Sequence, residues 1–167
     1  MMCFLFHRLF AFLFFIFLPV YIYAVNVSII VIETGSGAAI SSENAGCWED
    51  NIMDVFFNEG HIVSNARSKR IAHFPQEEIP EEALRDLQAA QEGGSEFFVI
   101  ALLNYSEKIL DGNTKPETII LRLYRVNPYT YMREETVIVQ GKTTPLDSIL
   151  TRTRIAAKNM ISYMRRK

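Results

Sequence analysis

Seven apolar residues in succession, Phe97 to Leu103, follow the polar stretch Gly93-Gly94-Ser95-Glu96. A run of that length without alternation suits a strand covered on both faces, so it predicts the centre of a sheet. Thr118 to Val126 then alternates, with Ile119, Leu121 and Leu123 on one face and Ile120, Arg122 and Tyr124 on the other. Tyr131 to Gln140 is more polar, with Arg133, Glu134 and Glu135 near its start, as befits an edge. The links between these runs have turn chemistry, Asp111-Gly112-Asn113-Thr114-Lys115-Pro116 and Asn127-Pro128-Tyr129-Thr130. Together they predict a three-stranded antiparallel meander.

Upstream, Val25 to Thr34 is β-branched and reads as a strand. A Gly-Ser loop follows, and Ser41 or Ser42 is placed to cap a helix to about Glu59, on which Ala45, Trp48, Ile52, Val55 and Phe56 form one stripe. Gly60 suits its end. His61 to Ala66 predicts a short second strand, Arg67 to Arg70 a basic run, and Ile71 to Ile79 a loop. Pro80 suits the first position of a second helix, with Glu81 and Glu82 at the positive end of its dipole. Ala83, Leu84, Leu87, Ala90 and Gln91 keep helical spacing there, and Gly93-Gly94 ends it. Thr144-Pro145-Leu146-Asp147 opens a last helix with a capping threonine. Leu146, Ile149, Leu150, Thr153, Ala156, Ala157, Met160, Ile161 and Met164 hold one face over five turns. The order strand-helix-strand-helix-strand-strand-strand-helix predicts a single α/β domain with a mixed sheet over residues 25–167.

Residues 1–24 stand outside this pattern. Arg8 precedes Leu9 to Phe17, which has no polar residue, and Ala24 follows Pro19. This is the layout of a signal peptide cleaved after Ala24, and the alternative is a retained membrane anchor over residues 9–25. The expected address is exported, periplasmic or envelope-associated.

The chain of 167 residues has 17 Lys and Arg against 19 Asp and Glu, a net charge of −2. Without residues 1–24 it is −3, because Arg8 is the one charge lost. That balance argues against nucleic acid as a partner. Cys47 then stands alone, so no internal disulfide forms. It reads as a buried, inert thiol, with pairing between chains as the alternative.

Candidate chemistry is sparse. Gly35-Ser36-Gly37 lies between a strand and a helix, but the third glycine of a dinucleotide loop is replaced by Ile40, and no Lys-Ser or Lys-Thr follows. His61 and His73 lack the spacing of a zinc site. A Cys47–His61 nucleophile pair would be separated by most of a helix. Glu77, Glu78, Glu81 and Glu82 read as solvation and dipole complement rather than as a paired acid and base. Arg67, Lys69 and Arg70 read as a solvated loop, with an anionic surface as the alternative contact. No cofactor, metal or catalytic set is expected. Tyr124, Tyr129 and Tyr131 cluster at the turn between the last two strands. Tyrosines there either pack over the sheet end or form a protein interface, and this turn is the preferred partner-binding site.

The order of these pieces (Val27 to Thr34, Trp48 to Gly60, His61 to Asn65, Leu84 to Gly94, Phe97 to Leu103, Thr118 to Val126, Met132 to Gln140, Leu146 to Met164) resembles the CsgG, LpoB and TolB amino-terminal-domain type of bacterial envelope protein. CsgG and LpoB are lipoproteins, and no cysteine here is placed for lipidation. The resemblance implies a small exported domain of this fold and none of the specific activities of those proteins. With no catalytic set in view, the expected function is a non-enzymatic exported protein that binds or regulates another envelope protein or assembly, such as a cell-wall synthesis component, with homo-oligomers among the options. The alternatives are a small periplasmic hydrolase acting on cell-wall material and a membrane-anchored structural subunit of an envelope complex.

Overall fold

A computed structural model of the chain describes residues 24–35, 42–105, 115–139 and 144–165. The expected signal segment up to residue 23, loop residues 36–41 and turn residues 111–114 lie outside the described residues.

The elements are β1 (Asn26–Thr34), α1 (Ser42–Asn58), β2 (Ile62–Asn65), β3 (Lys69–Ile71), α2 (Glu81–Glu92), β4 (Phe97–Asn104), β5 (Thr118–Arg125), β6 (Thr130–Ile138) and α3 (Leu146–Met164). They build one α/β domain around a six-stranded mixed sheet in the order β2-β1-β4-β5-β6, with β3 also on β1. β2, β3 and β4 run parallel to β1, while β4, β5 and β6 form the antiparallel meander. β4 occupies the other edge of β1 along Val27 to Thr34, so β2 and β3 must share one edge, against Asn26–Ile29 and Ile32–Thr34 respectively.

The chain moves from β1 to β2 on one side, then returns past β1 to β4. With crossovers of one hand, that reversal places α1 and α2 on opposite faces of the sheet. One core holds Trp48, Ile52, Val55 and Phe56 of α1 and Ile149, Ala157, Met160 and Ile161 of α3 against Val27, Ile29, Val31, Val99, Ala101, Leu121 and Leu123. The other holds Ala83 and Ala90 of α2 against Ile30, Ile32, Phe98, Ile100, Leu102 and Tyr124. β1 and β4 are buried on both sides, which matches the unbroken apolar runs Ile29–Ile32 and Phe97–Leu103 within them.

Several local expectations are corrected. β3 was not expected: the basic run pairs as a strand along the free upper edge of β1. Its alternation turns Arg70 toward buried Glu33 and Lys69 toward Asp86 on α2. Cys47 is exposed rather than buried, one position before the Trp48 stripe. Leu84 is 49% exposed, because α2 needs only a narrow stripe of alanines to approach its face. Pro80 and Pro145 stand at the N-cap positions of their helices rather than at the first helical position. Their φ of −59° and extended ψ let each proline carbonyl accept the first turn's amides instead. Gly60 and Gly94 end α1 and α2 at φ +88° and +76°. No helix among the described residues is long and apolar enough to cross a membrane.

Candidate functional site

Two polar constructions interrupt the apolar sheet. The first lies where β5 turns into β6. β5 alternates, so Arg122 and Tyr124 project to the α2 face. Opposite them across the ladder stand Glu134 and Tyr131, and a register shift between Leu123 and Tyr124 leaves Met132 as the extra residue. Arg122 is nearly buried. Its Nε donates to Glu134 Oε2 at 2.9 Å, and its Nη1 donates to the carbonyls of Glu77 and Glu78, both at 2.9 Å. The Tyr124 hydroxyl donates to the same Glu78 carbonyl. The loop before α2 is thus fastened to β5 by side chains reaching out of the sheet.

Tyr124 is wholly buried, so its place is within the mount rather than on the surface. Tyr129 stacks on it at 5.8 Å between centroids and 18° between planes, and Tyr131 tilts against it at 5.6 Å and 59°. Tyr129 and Tyr131 keep 47% and 40% of their surface exposed. Burial, and then the Glu78 carboxylate, push the Tyr129 hydroxyl up to about 12. Burial and the Glu134 charge raise Tyr131 in the same direction. All three tyrosines stay neutral donors at physiological pH. The three tyrosines expected as a group are therefore brought together, one as mount and two as presented rings. Arg122, Glu78 and Glu134 complete the corner. A lone arginine between Leu121 and Leu123 was the available signal for it, since a charge in an apolar strand must find partners.

The second construction is at the carboxyl ends of β1 and β4, where α/β sheets often open a ligand crevice. Glu33 is 2% exposed. It accepts from Arg70 Nε at 2.9 Å and from the Tyr105 hydroxyl at 3.4 Å. Burial raises its pKa, and Arg70 and Tyr105 oppose the shift. Thr34 Oγ1 donates to Asn104 Oδ1 at 3.0 Å. Gly35 (φ +141°) passes so close that a Cβ there would lie 2.8 Å from the Tyr105 carbonyl oxygen. This contact accounts for the first glycine of Gly35-Ser36-Gly37 on packing grounds. The cluster closes on itself: acid, base and hydroxyl are each other's partners.

The remaining candidates are dispersed. Cys47 is on the solvent side of α1, and His61 follows its far end, roughly 16 Å of helix away at 1.5 Å per residue. His73 is exposed. Among the described residues, no group of three or more His, Cys, Asp or Glu is placed to hold a metal ion. Glu81 and Glu82 lie in the first turn of α2, where they complement the helix dipole.

The model of a family described as "Uncharacterised protein" matches residues 26–165. The chain belongs to that family. No curated protein matches it. A PelC dodecamer from Paraburkholderia phytofirmans superposes with a TM-score of 0.50 at 12% identity, covering 80% of this chain and 85% of that one. The hypothetical protein CT253 from Chlamydia trachomatis has a TM-score of 0.50 at 12% identity, covering 86% and 99%. TolB from Acinetobacter baumannii matches at 0.46 and 12%, covering 85% of this chain but only 28% of TolB. The chain thus spans just over a quarter of TolB's length. The resemblance inferred from element order is found as a resemblance of fold.

Proposed function

We propose that this domain is a non-enzymatic, exported binding protein of the bacterial envelope, and that the turn 127–131 is where it contacts another envelope protein. Residues 1–24 serve as its signal peptide in this reading. The observation that carries the binding role is the pair of half-exposed rings, Tyr129 and Tyr131, held on a buried third ring that is itself bonded to the neighbouring loop. Tyrosine buries a large area at low cost in side-chain entropy, and rings already fixed lose less on binding. The fold resemblance to envelope proteins supports the address.

The test is photo-crosslinking in cells. A benzophenone amino acid at position 129 or 131 is expected to form an adduct with one envelope protein, while the same probe at Lys158 on α3 does not. Tyr131→Ala should reduce the adduct from position 129 by about fivefold or more, the scale of a central interface residue. Identical adducts from Lys158, or none from the turn, would refute the site.

A further inference from the structure

Resting on that reading of the turn, we infer that its corner receives a cationic side chain, and that the partner segment is an extended stretch with Arg or Lys at alternate positions. Tyr129 and Tyr131 are fixed at different tilts around Tyr124, so they form two walls of a corner rather than a flat patch. Aromatic faces carry partial negative charge and attract guanidinium and ammonium groups. Carboxylates lie at the same place. Glu78 is held there by its carbonyl, which both Arg122 and Tyr124 bond. Glu134 lies beside Tyr131 with its side chain 37% exposed, and Glu77 is exposed on the same loop.

The nearby cations neutralise this surface only in part: Arg122 offsets Glu134, its ion-pair partner at 2.9 Å, and leaves Glu77 and Glu78 as the remaining acids. Arg122 is nearly buried and committed to Glu134 and two carbonyls. Arg133 lies on the opposite face, 4.6 Å from the Tyr163 ring centroid and paired with Glu135. The open face therefore presents rings and acids, and the complement is basic.

The strand supplies the spacing. β6 is at the edge of the sheet. Tyr131, Glu134, Thr136 and Ile138 share the face of their ladder partners Tyr124, Arg122, Ile120 and Thr118. A segment added along such an edge turns every second side chain to that face, with backbone bonds giving affinity and side chains giving selection.

The probe is a fluorescein-labelled heptapeptide of alternating Ser and Arg, with its Ser and Glu counterpart as control, titrated against the full chain by fluorescence anisotropy. The expected result is saturable, salt-sensitive binding of the Arg peptide only. Glu78→Gln and Glu134→Gln should each weaken it by about threefold, and Tyr129→Ala by about fivefold, as for a cation–π contact of about 1 kcal/mol. Each variant should keep the parent's far-ultraviolet circular dichroism spectrum and urea midpoint, which guards against a folding artefact. The distant pair Glu92→Gln with Asp147→Asn removes two charges and should leave binding unchanged. Equal binding of the Glu peptide, indifference to Glu78→Gln and Glu134→Gln, or equal loss from the distant pair would overturn the inference. Crosslinking from position 129 without Arg-peptide binding would leave the contact surface standing and remove only its basic partner.

Discussion

At the scale of single residues, His61 is the group whose state depends most on its surroundings. It is 5% exposed, and neither ring nitrogen has a hydrogen-bond partner. Its ring lies 6.4 Å from that of Phe56. Burial lowers its pKa and Arg165 at the end of α3 lowers it further, while Glu59 after α1 and Glu96 before β4 act in the other direction. A histidine with a folded pKa below its unfolded value binds fewer protons when folded. Its contribution to stability is then fully present above about pH 6.5 and is lost as pH falls through that value toward the folded pKa. Urea unfolding of the parent should show a falling midpoint between neutral and mildly acidic pH, and His61→Phe should flatten that fall. An unchanged slope in the variant would assign the pH dependence to other groups. The sequence placed His61 at the start of the second strand, and it stands one residue before β2. Its burial was not readable, because α1, α3 and β4 converge on it from distant parts of the chain.

At the scale of elements, the joint between β5 and the loop before α2 depends on two side chains, Arg122 and Tyr124. Removing Arg122 leaves the Glu77 carbonyl without its donor, the Glu78 carbonyl with Tyr124 alone, and Glu134 without its ion pair, and each buried unpaired group costs about 1–3 kcal/mol. Arg122→Ala is expected to lower stability by about 2 kcal/mol or more in urea unfolding, and to speed amide exchange at residues 76–79. Arg122→Met should recover part of the loss, since its stem still packs. A loss below about 0.5 kcal/mol with unchanged exchange would show that the loop is held by other contacts. Elements with strong periodicity, such as α1, α3 and the alternating β5, were legible from spacing alone. β3 was not: it has three residues and no apolar pattern, and its stability comes from pairing with β1 and from ion pairs to Glu33 and Asp86.

At the scale of the whole molecule, one sheet separates two cores, and β1 and β4 belong to both. Losing either layer exposes the same strands, so the two cores should unfold together. The chain carries its own reporters. Trp48 is the single tryptophan and lies in the α1–α3 core, while Tyr124 lies in the α2 core. In a Tyr105→Phe, Tyr163→Phe background, which removes the tyrosines of the α1–α3 core, tryptophan fluorescence and the tyrosine region of near-ultraviolet circular dichroism should give coincident urea transitions. Transitions separated beyond error would mean that one layer unfolds independently.

The sequence by itself determined the α/β class, the order of the main elements and the central place of Phe97 to Leu103, because these depend on local periodicity and on runs of apolar residues that only burial on both faces explains. It also brought Tyr124, Tyr129 and Tyr131 to one turn, since they are neighbours along the chain. Only the tertiary structure decided which of the three is buried, that Glu78 and Glu134 join them, and that the basic run becomes a strand. Those outcomes depend on contacts between residues far apart in sequence, and on which face of the sheet each alternation reaches once the strands are paired.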